Sequence, residues 1–167
     1  MFAVRAGETP HGNRTRLTGP LRLFCLTRSP GPKPEVEAPD ATVLCFGDSI
    51  TWGYNAADGS RFPWEARWPG VLASTLGNGF RVVEEGLSGR TTMSDPPFLD
   101  GRSAKAVYPI VLETHSPVDA VLILLGTNDL QPVLRLTVEE IGWGCAGPLR
   151  TTALSRFGPG GALRERS

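Results

Sequence analysis

The sequence predicts an α/β fold built on a parallel sheet. Three short apolar runs, at residues 42–46, 80–83 and 119–125, have the length and composition of buried strands. Two helix signals lie between them, at residues 69–76 and 109–114. Strand, helix, strand, helix, strand in alternation is typical of a parallel sheet with right-handed crossovers.

The first strand is predicted to be central in this sheet. Residues 43–46 are apolar throughout and stop on Gly47, Asp48 and Ser49, which fits a strand that is buried on both faces. In open α/β sheets, ligands bind in the crevice at the carboxyl ends of the strands. We therefore expect Ser49 to face that crevice.

The helix boundaries are predicted from Pro and Gly. Pro69 fits the first turn of one helix and Gly77 closes it, while Pro109 is expected to open the next one. Glu84, Glu85 and Gly86 are expected to form a turn after the second strand.

Composition limits the classes of partner. Lys and Arg total 17, as do Asp and Glu, so net charge favours neither nucleic acid nor an acidic membrane surface. No apolar run approaches the roughly 18 to 20 residues of a membrane span. Cys25, Cys45 and Cys145 lack metal-ligand spacing, which predicts free thiols in a cytoplasmic protein.

Both ends of the chain differ in composition from its middle. Residues 1–38 are rich in Arg and Pro and are expected to be a disordered or non-native leader, with an organelle transit peptide as the alternative. Residues 39–146 hold the predicted domain. Residues 147–167 are rich in Gly, Arg and Pro, and we expect an irregular tail there.

A last helix is predicted ahead of this tail. Thr137 and Glu140 form a capping-box pattern, so the helix is expected to start near Val138. Gly142, Gly144, Gly147 and Pro148 follow this start, and we expect them to end the helix early.

Three polar loops come directly after the three predicted strands. They are GDS at 47–49, GLSGRTT at 86–92 and GTND at 126–129. Because the carboxyl ends of parallel strands share one edge, a hydroxyl, a Gly-rich backbone and an amide side chain converge there. Such a set suits acyl transfer: the Ser49 hydroxyl attacks a carbonyl, while the N–H groups of Ser49 and Gly89 and the Asn128 amide hold the oxyanion.

Each residue also has a structural alternative. A Ser after a strand is often a helix N-cap, Gly89 can serve only a turn, and Asn128 with Asp129 can cap the following segment. A nucleotide site is disfavoured because GxxxxGK[ST] and GxGxxG are absent after the first strand. The GxSxG elbow is also absent, since Thr51 occupies the place of its last Gly.

Aromatic residues are predicted near the nucleophile. Trp52 follows Ser49 by three residues and is the main candidate for a substrate-pocket wall. Trp64 and Trp68 lie in the next loop, where packing against the following helix or a subunit contact is the alternative.

GDSITWG at 47–53, SGRTT at 88–92 and GTND at 126–129 resemble the first three sequence blocks of the SGNH, or GDSL, hydrolases. The intervening sequence is most similar to the bacterial arylesterase and acyltransferase branch. The resemblance implies a flavodoxin-like, three-layer α/β/α fold of about five strands, of which three are found here. It also implies Ser49 as nucleophile, Gly89 and Asn128 as oxyanion donors, no metal or organic cofactor, and in some relatives homo-oligomers.

The fourth block of that family, Asp-x-x-His, is absent. The chain has only His11, in the leader, and His115, which precedes the third strand while Asn128 follows it. Seven strand residues separate these two by roughly 20 Å, so His115 is not expected to serve as the base. We attribute the loss to a frameshift near Trp143 or a truncated gene.

The sequence therefore predicts an SGNH-type serine esterase or acyltransferase for short-chain or aryl esters, impaired by the loss of its catalytic His and Asp. The alternative is a non-catalytic relative retained for binding or assembly, or a truncated gene product. The third strand is expected to expose an apolar edge or face, which favours association.

Overall fold

The computed structural model describes residues 39–159 and the backbone of residues 2–3 and 24–25. The chain divides into two compact units, Met1–Glu37 and Ala38–Ser167. In the first unit, strand β1 (Phe2–Ala3) pairs antiparallel with β2 (Phe24–Cys25). The prediction of a disordered leader otherwise lies outside the described residues.

The second unit is built on a three-stranded parallel sheet. Its strands are β3 (Ala41–Gly47), β4 (Phe80–Gly86) and β5 (Ala120–Leu124), in the order β4-β3-β5. The predicted α/β class and the central position of the first strand are confirmed. Gly47 pairs with Gly86 on one side and with Leu124 on the other, so the three strands end level with one another.

Strand β3 is buried on both faces, as its apolar sequence predicts. Leu44 and Phe46 pack into a cluster with helix residues, and Phe46 meets Tyr108 edge to face at 4.8 Å. Side chains alternate along a strand, so Val43 and Cys45 point to the opposite face, and they are buried as well. Helices therefore cover both faces of the central strand.

The predicted turn after the second strand is wrong, because residues 84–86 continue β4. Their backbone pairs with β3 up to Gly86. The Glu84 carboxylate, which would otherwise oppose burial, pairs with Arg61 at 3.2 Å and with Arg67 at 2.7 Å. Two cationic partners stabilise the ionised carboxylate and let the strand extend.

Residues 39–159 also form four α-helices and three 3₁₀ segments. The helices are α1 (Ser49–Trp52), α2 (Trp68–Leu76), α3 (Ala104–His115) and α4 (Val138–Leu154); the 3₁₀ segments are Trp64–Ala66, Thr127–Leu130 and Pro132–Leu134. Helix α2 has Pro69 in its first turn and ends at Gly77, which has a φ of 82°, as predicted.

Helix α3 begins earlier than predicted and contains Pro109 in its interior. Pro lacks the N–H that would bond to the carbonyl one turn back, at a cost of about 3 kcal/mol. That cost is offset because Ala104, Tyr108 and Leu112 are almost completely buried on one face of the helix. The first turn is also anchored by a 2.9 Å hydrogen bond from Ala104 N to Thr91 O.

Helix α4 begins at the predicted capping box, in which Thr137 and Glu140 exchange both expected hydrogen bonds. The expected early break is wrong: the helix runs to Leu154, so the predicted irregular tail is helical over residues 147–154. A Cβ at position 144 would lie 2.0 Å from Thr92 Oγ1, so Gly144 permits close packing instead of ending the helix. The prediction for residues 160–167 lies outside the described residues.

Strand β5 forms one edge of the described sheet and leaves apolar side chains in contact with solvent. Leu122 and Leu124 are each 42% exposed, whereas Val121 and Ile123 pack against the core. This is the apolar face that the sequence led us to expect on the third strand. Within the described part of the chain, no helix is long and apolar enough to cross a membrane.

Candidate active site

Three loops leave the level carboxyl ends of the parallel strands. Gly47 carries the chain from β3 into α1, Gly86 leads from β4 into the SGRTT segment, and the Thr127–Leu130 turn comes after β5. The three loops therefore leave the sheet at one edge, and the convergence of their functional groups stays a prediction. The position of each side chain there is set by local contacts.

Ser49 is the first residue of α1 and is partly exposed. The helix N-cap is Asp48, whose Oδ1 accepts a 3.0 Å hydrogen bond from Ile50 N. The alternative of Ser49 as the cap is therefore wrong, and its hydroxyl is not engaged in capping. Asp48 is almost completely buried, and this desolvation raises the pKa of its carboxyl group.

Helix α1 rests directly on the end of β4. A Cβ at position 86 would lie 2.1 Å from the backbone nitrogen of Trp52, which only glycine avoids. Gly47 is equally constrained, because its Cβ would meet Thr51 Oγ1 at 2.0 Å. Gly47 and Gly86 therefore allow α1, which carries Ser49, to pack closely on the ends of β3 and β4.

Arg90 connects all three loops. Its guanidinium donates to Gly47 O at 2.9 Å and to Glu85 O, and it lies 4.1 Å from the centre of the Phe46 ring. Its own carbonyl oxygen accepts a 3.0 Å hydrogen bond from Asn128 Nδ2. Burial lowers the pKa of Arg90 to about 10, so the side chain remains charged at neutral pH.

Gly89 occupies a turn that bends the SGRTT segment back towards the sheet. Its φ of 78° lies in the left-handed region, and the turn is closed by a 3.0 Å hydrogen bond from Arg90 N to Leu87 O. The conformation suits a glycine for structural reasons alone. Gly89 also directly precedes Arg90, which makes the hydrogen bonds that join this loop to the other two.

Asp129 secures the third loop to the second. Its carboxylate accepts hydrogen bonds from Thr92 N at 3.0 Å to each oxygen, and from Thr92 Oγ1 at 2.6 Å. Asp129 therefore binds the SGRTT segment instead of capping the segment after it, which corrects the structural alternative. This bond holds Asn128, the preceding residue, next to Arg90. One of the two Asn128 Nδ2 hydrogens is used in this bond to Arg90.

The aromatic residues separate into two groups. Trp64 packs on Gly70 of α2, and Trp68 Nε1 donates to Thr51 Oγ1 at 3.2 Å, so both have structural contacts. Trp52 is partly exposed, on the same short helix as Ser49. The Arg61 guanidinium lies 4.9 Å from the Trp52 ring centre and its Nε donates to Trp52 O.

His115 is engaged at the other end of α3. Its Nε2 lies 2.7 Å from Glu85 Oε1. The helix starts beside Thr91 at the site edge, and His115 is its last residue, about 16 Å along the axis from Ala104. His115 is thus paired with Glu85, the residue before Gly86 at the end of β4, and the expectation that it does not serve as the base stays a prediction. His11 lies outside the described residues.

Neither described cysteine is a candidate nucleophile. Burial, with a smaller contribution from Glu84, raises the pKa of the Cys45 thiol to about 12. Burial also raises the pKa of Cys145. Both thiols are therefore protonated at neutral pH and unreactive. Among residues 39–159, no group of three or more His, Cys, Asp or Glu side chains could hold a metal ion.

Sequence reasoning did not identify Arg90, Thr92 and Asp129 as the residues that join the loops. All three belong to the blocks SGRTT and GTND that did identify the site. The sequence did contain a signal for two of them, because Arg90 follows Gly89 directly and Asp129 follows Asn128. A charged side chain in a buried turn needs a partner.

Comparison with known proteins identifies the family of the chain. The model of the GDSL-like lipase/acylhydrolase family matches residues 45–153, which is more than half of the chain. The chain therefore belongs to this family of esterases and acylhydrolases.

Solved structures of esterases are similar to the chain. The native aryl esterase of M. smegmatis is 43% identical, with a TM-score of 0.66 over 69% of this chain and 55% of that one. Est24, a carbohydrate acetylesterase from Sinorhizobium meliloti, is 40% identical, with a TM-score of 0.67 over 72% and 58%. This chain thus spans a little over half the length of these two proteins.

A curated protein is similar over a smaller share of its length. The acetylxylan esterase of Xylanibacter ruminicola is 32% identical over 103 residues, which are 60% of this chain and 19% of that protein.

Proposed function

We propose that this chain is an SGNH-type serine esterase or acyltransferase for short-chain or aryl carboxylic esters. The observation that carries the proposal is Arg90, which joins the Ser49 loop to the Asn128 loop from its place beside Gly89. The relatives include an aryl esterase and two acetylesterases of carbohydrates. Acetyl esters of phenols and sugars are therefore the first substrates to test.

The three residues have distinct roles in this proposal. The Ser49 hydroxyl attacks the ester carbonyl carbon, its proton passes to a base and then to the departing alcohol, and an acyl-Ser49 intermediate remains. Water releases the acid, or a second alcohol takes the acyl group. The backbone N–H groups of Ser49 and Gly89 and the second Nδ2 hydrogen of Asn128 stabilise the oxyanion.

A base for this chemistry has not been identified in the chain. Without one, Ser49 is a neutral alcohol at pH 7 and a poor nucleophile. Loss of a triad member costs about 10⁴ to 10⁶ in turnover, while an oxyanion hole and binding retain about 10³ to 10⁴ over water. We therefore expect hydrolysis barely above background, without a metal or organic cofactor.

Trp52 is proposed as a wall of the substrate pocket. It lies one helical turn from Ser49, and the Arg61 contacts hold its backbone and ring in place. A partly exposed ring on the same short helix as the proposed nucleophile would contact the acyl or aryl group of an ester. Trp52→Ala is expected to raise KM for aryl esters more than for acetyl esters of small alcohols.

Hydrolysis of p-nitrophenyl acetate tests the function. The unmodified chain is compared with Ser49→Ala, and both are compared again after the Asp-x-x-His segment of a close relative has been appended. We expect the appended segment to restore turnover that Ser49→Ala abolishes. Enzyme-like turnover by the unmodified chain, abolished by Ser49→Ala, would show that a base is present, and His11→Ala would then be made first.

A non-catalytic role in binding or assembly is the second candidate. It is favoured by the 2.7 Å pairing of His115, the one histidine among residues 39–159, with the Glu85 carboxylate. Failure of the appended segment to restore Ser49-dependent turnover, in a chain whose thermal unfolding is unchanged, would support this candidate over the esterase.

The setting that we propose is the cytoplasm, with a small-molecule ester as the partner. Cys45 and Cys145 are free thiols, which suits a reducing compartment. The balanced charge supports neither nucleic acid nor an anionic membrane as a partner. The exposed leucines of β5 support homo-oligomers, because association would remove their apolar surface from water.

A further inference from the structure

A groove lies between α3 and α4, separate from the residues assigned to ester chemistry. Its volume is about 610 Å³, and Ser49, Trp52, Gly89 and Asn128 are not among the residues that line it. Ligand sites for small molecules usually have volumes of about 300 to 1,000 Å³. The groove is thus large enough for a ligand of its own.

The groove exists because α4 lacks a side chain where it faces α3. Gly147 lines the space, and no heavy atom lies within 4 Å of the position that its Cβ would occupy. One turn earlier, Gly144 brings the helix against Thr92 and so closes one side of the groove. The groove is therefore closed at Gly144 and open at Gly147, where no side chain fills it.

The walls combine apolar surface with positive charge. Trp143 and Leu154 line the groove and are 69% and 73% exposed, so much of their apolar surface has no protein contact. Lys105 and Arg150 are the charged residues of the lining, and no Asp or Glu is found among its described members. None of the ion pairs found within residues 39–159 involves Lys105 or Arg150.

We propose that this groove binds an amphiphilic monocarboxylate with an apolar chain. The carboxylate is held by Lys105 and Arg150, which are compensated by no acidic residue of the lining, and the chain contacts Trp143 and Leu154. Charge complementarity selects the carboxylate, and the apolar surface selects its chain. A small inorganic anion would leave that apolar surface uncovered.

Octanoate is the probe for this proposal. It is titrated into the ¹⁵N-labelled 167-residue chain, and the four tryptophan indole N–H signals are followed, with Trp143→Phe identifying that of Trp143. We expect a saturable shift of the Trp143 signal, with a dissociation constant on the order of 1 mM or tighter. A shift of Trp52 without a shift of Trp143 would place octanoate in the ester site and overturn the proposal.

Gly147→Leu fills the groove, and Gly142→Leu is its matched control. Both glycines lie in α4 with no heavy atom within 4 Å of a Cβ, but Gly142 does not line the groove. Leu favours helix over Gly at either position, so both variants should fold. Gly147→Leu should weaken octanoate at least tenfold and Gly142→Leu should not. Trp143→Ala is the second test variant and should also weaken octanoate binding. If neither Gly147→Leu nor Trp143→Ala changes the affinity for octanoate, the proposal is overturned.

The charges are tested separately. Lys105→Gln combined with Arg150→Gln should weaken octanoate about three- to tenfold, whereas Arg81→Gln on the exposed part of β4 should have no effect. Added salt should weaken binding to the unmodified chain. Binding of 1-octanol as tightly as octanoate would overturn the assignment of a carboxylate. None of these readouts depends on catalysis by Ser49, so they can fail independently of the proposed esterase function.

Discussion

Arg90 donates a hydrogen bond to the carbonyl oxygen of Gly47 over 2.9 Å, across 43 residues of sequence. Gly47 is the last residue of the central strand, and Ser49 lies two residues later. The bond therefore fixes the loop of the proposed oxyanion donor Gly89 against the loop of the proposed nucleophile. Loss of this bond should lower the free energy of unfolding and any turnover that depends on Ser49.

Replacement of Arg90 by Met should destabilise the chain by about 2 kcal/mol or more. Arg90 is 4% exposed, and loss of its guanidinium leaves the carbonyl groups of Gly47 and Glu85 without their donor. Urea unfolding measures the change. Arg81→Met, on an exposed site of the same strand that leads to this loop, serves as the control and should change stability little. Equal effects of the two variants would refute the role of Arg90.

Asp48→Asn should stabilise the chain near neutral pH. The folded state raises the pKa of Asp48 above its ordinary value of 3.8, because burial disfavours the carboxylate. The folded chain thus binds this proton more tightly than the unfolded chain does. The free energy of unfolding therefore falls as pH rises from 3.8 to the raised pKa of the folded state. Below 3.8 the carboxyl group is protonated in both states and this destabilisation is absent.

Asn at position 48 keeps an oxygen for Ile50 N but carries no charge. The urea midpoint of Asp48→Asn should exceed that of the unmodified chain at about pH 7, and the difference should shrink towards zero by about pH 3.5. An Asn variant that loses more stability at the higher pH would contradict this expectation.

Gly86→Ala should displace α1. The new methyl group would lie 2.1 Å from the Trp52 backbone nitrogen, so the helix and Ser49 must move. We expect a loss of about 1 to 3 kcal/mol in stability. In the chain with an appended Asp-x-x-His segment, we also expect a fall in Ser49-dependent turnover. The matched change Gly142→Ala meets no neighbour within 4 Å and should stabilise α4 by about 0.5 to 1 kcal/mol. Full turnover in Gly86→Ala would show that Ser49 does not depend on this contact.

The exposed face of β5 should drive association of the chain. Leu122 and Leu124 lie on one face of this strand at the edge of the described sheet, each 42% exposed. Changing both to Thr keeps β propensity and removes apolar surface. Light scattering after size exclusion should then show a lower mean mass at high protein concentration. Val121→Thr, which alters the core-facing side, should lower stability without reducing association. A monomeric unmodified chain that melts sharply would contradict the prediction.

Local patterns were sufficient for most of the fold. The apolar run that becomes β3, the Pro and Gly that bound α2, and the Thr137–Glu140 capping box all act within a few residues, so the sequence shows them directly. The apolar run of β3 predicts its central place, whereas the successive strands β4 and β5 are not neighbours and lie on either side of it. The meeting of the three loops is a consequence of that order.

The sequence did not predict how far each element extends. Pro109 and Pro148 are helix breakers by local rules, yet both lie inside helices because those helices bury Tyr108, Leu112 and Gly144 against the rest of the chain. The contribution of this burial depends on residues far away in sequence and outweighs the local cost of Pro.

The sequence by itself determined the α/β class, the central strand and the three blocks that contain Ser49, Gly89 and Asn128. Only the tertiary structure showed that Arg90 bonds to Gly47 and that Asp129 bonds to Thr92, across 43 and 37 residues. The physical reason is that a buried charge must find a partner, but the sequence does not say which one. The partner is the group that the packed strands bring within 3 Å, and this distance exists only once the sheet has formed.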